Sequence, residues 1–108
     1  MNLLDKWSQA IDSRDISALS ELIHDDYEFT LHSAGRTLSK KDVLDWIAMD
    51  DVVTENYRIL YENDEIGVTH AVVKFKSDGN IQGVMSFFRF KDGKLFRHET
   101  GASNLPKE

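Results

Sequence analysis

The sequence contains no cysteine, a single proline and no long apolar run. Without cysteine it can form neither a disulfide framework nor a thiolate zinc site, and it has no thiol nucleophile. No apolar stretch approaches the roughly 20 residues that a membrane span needs. The first residues also lack the basic start and the unbroken apolar segment of a signal peptide. We therefore expect a cytoplasmic protein that makes no membrane contact.

Basic residues are also in deficit. The 108 residues include 13 Lys and Arg against 19 Asp and Glu, which gives a net charge of −6. Binding to a phosphate backbone needs a basic surface, so we exclude nucleic acid as a partner. The apolar fraction of 41% and the aromatic fraction of 10% are those of a folded protein. We predict one domain over residues 1–108, in which residues 103–108 form a tail.

Three segments in the first half of the chain combine apolar residues at helical spacing with capping residues. They begin near Leu3, at Asp15 and at Ser39, and the second is expected to end at residues 24–26. A short strand is predicted over residues 27–31, because apolar and polar residues alternate there.

From about residue 53 onward the apolar period changes to two, which indicates strands. The strands are predicted over about residues 53–62, 66–75, 81–90 and 95–102. Asp92-Gly93 carries the strongest turn signal, because both residues tolerate the positive φ of a type I′ hairpin. Helices followed by an antiparallel meander predict an α+β fold, in which the helices pack on one face of a twisted sheet and enclose a cavity.

Two segments carry a family resemblance. Residues 13–27, together with the sequence FRFKDGKL at residues 88–95, resemble the nuclear transport factor 2-like superfamily and, within it, the SnoaL-like (polyketide cyclase-like) proteins. The resemblance extends from residue 1 to about residue 104. It implies a cone in which a strongly bent antiparallel sheet wraps three N-terminal helices, and it implies dimers formed back to back by the sheets.

The resemblance implies a fold more specifically than an activity, because the superfamily includes isomerases, cyclases, dehydratases and transport factors. In its ketosteroid isomerase-like branch, two oxyanion-hole residues and a general base act at positions that here hold Trp7, Ser86 and Leu31. None of the three roles is filled by the residue that the branch uses there, so steroid isomerisation is not expected. We predict a pocket for a hydrophobic small molecule, with lyase, cyclase or isomerase chemistry. The alternative is a non-catalytic module that binds a ligand or a protein.

Two histidines are candidate catalytic residues. An imidazole titrates near neutral pH, so His98 or His32 could act as a general base. The alternative is that His98 is a hydrogen-bonded strand residue and His32 an ordinary loop residue. The four histidines are scattered along the chain, so we expect no metal site, and we expect no cofactor.

Alternation along the strands assigns side chains to two faces of the sheet. Together with helix residues, the side chains expected to line the cavity are Trp7, Ile11, Tyr27, Trp46, Thr69, Ala71, Val73, Phe75, Val84, Ser86, Phe88, Phe90 and Thr100. Those expected on the outer face are Val68, His70, Val72, Met85, Phe87 and Arg89. An apolar outer face is typical of a protein interface, so we predict a homodimer through it.

Overall fold

Three helices and six strands form the fold in a computed structural model, which describes residues 2–105. In chain order the elements are α1 (Leu3–Ser13), α2 (Ile16–Leu22), β1 (Ile23–Leu31), β2 (Arg36–Ser39), α3 (Lys40–Ala48), β3 (Val52–Glu62), β4 (Ile66–Phe75), β5 (Ile81–Lys91) and β6 (Lys94–Asn104). The predicted α+β class is confirmed. No helix among the described residues is long and apolar enough to cross a membrane.

Local capping explains where the helices begin. The side chain of Asp15 accepts a hydrogen bond from the Ala18 amide at the start of α2. At α3, Ser39 and Asp42 form the predicted capping box, in which each side chain accepts from the other residue's amide. Each cap satisfies amides that the first helical turn leaves without partners.

The six strands form one sheet in the order β2-β1-β6-β5-β4-β3. Strands β1 and β6 run parallel, and every other neighbouring pair is antiparallel. The prediction of a wholly antiparallel sheet is therefore wrong at this one pair, and the sheet is mixed. Strand β2, which pairs with β1, was also not predicted, because four residues of mixed polarity are too few to show a period.

Two predicted boundaries are wrong. Residues 24–26 belong to β1 instead of ending α2, because Ile23 is fully buried beside Leu95 and begins the pairing with β6. The predicted tail begins too early, since β6 continues to Asn104 and the Leu105 amide donates to the Ile81 carbonyl. The rest of that tail, residues 106–108, lies outside the described part of the chain.

The core lies between the helices and one face of the sheet. Its fully buried side chains come from all three helices and from the sheet, and they include Leu4, Leu19, Val43, Phe88 and Leu95. The hairpin between β5 and β6 adopts positive φ at both residues 92 and 93, as the turn prediction requires. Within residues 2–105, the helices cover one sheet face, and no other helix or strand covers the opposite face.

Candidate ligand-binding site

A cavity of about 170 Å³ lies between the helices and the covered face of the sheet. Its walls come from α1, α3 and the inward residues of β1 and β3–β6, and they are mostly apolar. Exposed polar residues, among them Asp12, Ser33 and Asp50, also belong to the lining and mark its opening to solvent. The cavity is slightly larger than the engineered cavity of roughly 150 Å³ that holds benzene in another protein.

Most of the residues predicted to line the cavity do so; Tyr27 and Phe90 are not among the lining residues. Tyr27 is buried and lies beyond His98, to which it is hydrogen-bonded. Phe90 follows a register shift in the pairing of β5 with β6, and its ring lies beside Gly67. Alternation cannot show a register shift of this kind, because it assumes an unbroken period of two.

Other lining residues were not predicted. Phe29 comes from β1, and Val52, Thr54 and Tyr57 come from β3. The pairing of β3 with β4 shifts register twice, so alternation did not assign its inward face. Arg14 also lines the cavity and was not predicted to do so. It is the C-cap of α1 and lies three residues after the predicted lining residue Ile11, so its position in the sequence could have indicated this.

Three buried polar side chains belong to the cavity wall, Thr69, His98 and Thr100, and of these His98 is the titratable one. Its relative exposure is 5%, and its ring is stacked between Phe29 and Phe88, with centroid distances of 4.1 and 4.0 Å. The Trp7 ring meets it edge-on at 6.2 Å. The Tyr27 hydroxyl lies 2.9 Å from Nδ1. Both faces and one edge of the imidazole are therefore occupied by protein.

Burial determines the charge of this pair. Desolvation lowers the pKa of His98 to about 3, because the imidazolium form would lie among apolar rings. The same cause raises the pKa of the Tyr27 hydroxyl. At neutral pH the pair is therefore an uncharged imidazole and an uncharged phenol.

The second ring nitrogen of His98 has no hydrogen-bond partner. Within the described residues, buried side-chain polar atoms without a partner are Nε2 of His98 and Oε1 of Glu62. Glu62 is not part of the cavity lining, whereas His98 is. An unpaired buried donor or acceptor costs about 1–3 kcal/mol, so such groups are uncommon and concentrate at sites of function.

Two carboxylates at the opening, those of Asp50 and Asp51, are held by neighbouring residues. Nη2 of Arg14 lies 2.6 Å from Oδ1 of Asp50, and the Lys76 ammonium lies 3.4 Å from its other oxygen. These contacts, chiefly the hydrogen bond from Arg14, lower the pKa of the Asp50 carboxyl. Asp51 accepts hydrogen bonds from the amide and the hydroxyl of Ser77. These carboxylates thus serve the structure of the rim.

His32 and His98, the two candidate catalytic residues, are not brought together. The His32 side chain is 59% exposed, and its Nε2 lies 2.9 Å from a Glu99 carboxylate oxygen. It is not among the lining residues of the cavity. Within residues 2–105, no group of three or more His, Asp or Glu side chains is placed to hold a metal ion.

The outer face of the sheet carries the six residues predicted for it, and none of them lines the cavity. The strand register places Phe87 beside Val68 and Met85 beside His70. Met85 is 46% exposed, and Tyr61, which pairs with Val68 on the other side, is 54% exposed. The center of this face is therefore apolar and partly open to solvent.

The chain thus has an α+β fold in which the helices cover one face of a mixed sheet, with a small, mostly apolar cavity between them. Residues 4–98 match the SnoaL-like domain family, and the chain belongs to that family. This confirms the resemblance found in the sequence. A search of curated proteins gives no match.

Solved structures share the fold. A nuclear transport factor 2-like protein of unknown function from Burkholderia xenovorans LB400 superposes with a TM-score of 0.75 at 16% identity, covering 98% of this chain and 84% of its own. A protein of Sinorhizobium meliloti, provisionally named a polyketide cyclase, has a TM-score of 0.75 at 21% identity, covering 92% and 93%. One of Kribbella flavida, provisionally named a ketosteroid isomerase, has a TM-score of 0.78 at 13% identity, covering 98% and 78%.

Proposed function

We propose that this protein binds an apolar small molecule of one or two rings in its cavity. The observation that carries this proposal is a mostly apolar cavity of about 170 Å³ between the helices and the covered face of the sheet. Drug-sized ligands occupy pockets of roughly 300–1,000 Å³, so the volume restricts the ligand to a small ring system. The neighbours provisionally named a polyketide cyclase and a ketosteroid isomerase support a cyclic ligand.

Binding without chemistry is the better supported of the two alternatives left by the sequence. Proton transfer needs a base within hydrogen-bond reach of the ligand. No carboxylate is hydrogen-bonded to His98, and Asp50 is engaged by Arg14 and Lys76. His32, the second candidate base, is paired with Glu99 outside the lining. The remaining carboxylate of the lining besides Asp51 is Asp12, which is exposed at the opening. A lyase, cyclase or isomerase reaction would therefore lack a base in the enclosed part of the cavity.

Filling the cavity is expected to weaken ligand binding strongly. Ala71 is buried in the cavity wall on β4, so the larger side chain of Ala71→Leu would occupy ligand space. Indane, an apolar bicycle, is expected to bind the wild type and to lose at least about tenfold in affinity for this variant. Ligand-observed and protein-observed NMR titrations measure both dissociation constants.

Ala48→Leu is the matched control, because Ala48 is exposed on α3 and does not line the cavity. It is expected to bind indane as the wild type does. The proposal fails if neither indane nor its ketone 1-indanone binds the wild type. It fails equally if indane binds Ala71→Leu as tightly as it binds the wild type.

We also propose that this is a cytoplasmic protein and that two copies of it associate through the outer face of the sheet. That face is formed by Val68, His70, Val72, Met85, Phe87 and Arg89. Support comes from the apolar center of that face and the partial exposure of Met85. Apolar patches of this kind, when contiguous, commonly mark interfaces. A twofold axis would place the same patch of both copies in contact.

A lysine at the center of this face is expected to separate the copies. Phe87→Lys would place an ammonium in the interface, where its cross-strand neighbour Glu99 is already engaged by His32. A buried charge that is not fully compensated costs several kcal/mol. Sedimentation at micromolar concentration should give a dimer for the wild type and a monomer for the variant. Ala48→Lys, which adds the same charge on α3, should remain dimeric. A monomeric wild type, or a dimeric Phe87→Lys protein, would show that this face is not the interface.

A further inference from the structure

We infer that the proposed dimer dissociates on acidification, because each copy contributes an imidazole, that of His70, to the center of the interface. This inference rests on the proposed association through the outer sheet face and adds its regulation by pH. Three features of the described residues lead to it: the position of His70 in the face, the engagement of the nearby carboxylates by other groups, and the positive charge of its neighbour on β3.

His70 lies in the middle of β4, between Arg58 on β3 and Met85 on β5. Its ring reaches over the neighbouring strand, because a Cβ atom at Gly83 would lie 3.6 Å from Nε2 of His70 and 3.8 Å from the methyl carbons of Leu105. The side chain is already half-buried in a single copy. A second copy on this face would therefore cover the part of the imidazole that is still open to solvent.

The carboxylates on the outer face of β3–β6 are engaged by groups other than His70. Oε2 of Glu55 on β3 lies 3.2 Å from the Lys74 ammonium, and Oε1 of Glu99 on β6 lies 2.9 Å from Nε2 of His32. The partner is an identical copy, so it brings the same paired carboxylates to the interface. Neither copy therefore supplies a free anion that would stabilise a protonated His70.

The cations around His70 oppose its protonation further. Arg58 is its direct cross-strand neighbour, and Arg89 lies on the same face of β5, with its guanidinium 5.9 Å from the center of the Phe87 ring. Lys74 follows four residues later on β4 itself. A proton on His70 would thus place a second positive charge beside Arg58 in a covered, mostly apolar interface, where a charge without a partner is costly. The uncharged imidazole can be covered at a much smaller cost.

Proton binding and association are therefore linked. Histidine titrates near pH 6.5 when water reaches it, so acidification favours the separate copies, which can take up the proton, over the dimer, which must exclude it from two imidazoles. Complete exclusion would raise the dissociation constant by at most about 100-fold between pH 7.5 and pH 5.5. The net charge of −6 acts in the opposite direction, because acidification reduces the repulsion between two acidic copies.

Sedimentation equilibrium at pH 7.5 and pH 5.5 tests the inference. We expect the dissociation constant of the wild-type dimer to be at least about tenfold higher at pH 5.5. In His70→Gln and His70→Leu, which cannot be protonated at this position, it should change less than about threefold. His24→Gln is the matched control, because it removes a histidine that contacts Phe96 and is not one of the interface residues. It should keep the wild-type pH dependence, and circular dichroism checks that each protein is folded at both pH values.

A wild-type dissociation constant that is equal or lower at pH 5.5 would overturn the inference, while the proposed dimer would stand. Equal weakening of the wild type and both His70 variants would also overturn it, because another group would then bind the proton. So would loss of the dimer in both variants at pH 7.5, since His70 would then hold the interface by a bond of its own. If the wild type is a monomer at pH 7.5, the proposed association fails and this inference fails with it.

Discussion

Acidification from pH 7 to pH 4.5 is expected to remove about 3 kcal/mol from the free energy of unfolding, because His98 is buried in its neutral form. The pKa of a free histidine is about 6.5, whereas that of His98 is lowered to about 3 in the folded protein. Between these values the unfolded chain binds a proton that the folded protein does not. The contribution of neutral His98 to the free energy of unfolding is therefore fully present above about pH 6.5. Between about pH 6.5 and pH 3 it falls by about 1.4 kcal/mol for each unit of decreasing pH.

Urea denaturation of the wild type and His98→Phe at the two pH values measures this contribution. The variant lacks the buried imidazole and should lose about 3 kcal/mol less than the wild type over the same interval. Asp25, Asp42 and Asp50 have pKa values lowered from 3.8, so their contributions are lost as the pH falls through about 4 and below, which lies under that pH interval.

The ¹⁵N shifts of His98 in the folded wild type give a measurement that does not depend on the variant. They should stay constant from pH 7.5 to pH 5, because the ring remains neutral. A His98 ring that titrates near pH 6.5, or equal pH dependence in the two proteins, would contradict the prediction.

Phe88→Ala is expected to lower the free energy of unfolding by about 3–5 kcal/mol. Phe88 is 1% exposed, and its ring contacts the sheet and a helix. It stacks on His98 of β6 at a centroid distance of 4.0 Å and meets Trp7 of α1 edge-on at 6.3 Å. Truncation removes these contacts and enlarges a space that the surrounding strands cannot close. The loss thus combines transfer of the ring to water with an enlarged cavity.

Phe96→Ala is the matched control, because Phe96 is a half-buried phenylalanine on the neighbouring strand, where it contacts His24 and Arg97. Its loss should be less than half that of Phe88→Ala, in proportion to the smaller area removed from water. Chemical denaturation monitored by circular dichroism gives both values. A loss below about 1 kcal/mol for Phe88→Ala would show that Phe88 does not support the cavity wall.

The sequence predicted much of the fold where the physical cause is local. The capping box of Ser39 and Asp42 joins residues three positions apart, and the positive-φ turn at Asp92-Gly93 involves two adjacent residues. Alternation along β4 and β5 separated cavity residues such as Ala71 from outer residues such as Phe87 without knowledge of strand pairing. Patterns of this range are encoded by neighbouring residues, so they can be read from the chain directly.

The candidate site depended on contacts that no local pattern contains. Phe29 stacks on His98 because β1 pairs in parallel with β6, and this pairing was not predicted. The inward residues of β3 depend on two register shifts, which break the period of two. His32 and His98 looked equivalent as titratable residues, yet one is exposed beside Glu99 and the other is enclosed by aromatic rings.

The sequence by itself therefore determined the class of fold, the helix starts, the hairpin turn and the two faces of the central strands. Each of these follows from residue spacing within one element. Only the tertiary structure decided that His98 is neutral, that Tyr27 holds its Nδ1 and that its Nε2 is buried without a partner. Desolvation and hydrogen bonding depend on residues distant in the chain, here 71 positions apart, and they arise only when the strands are paired.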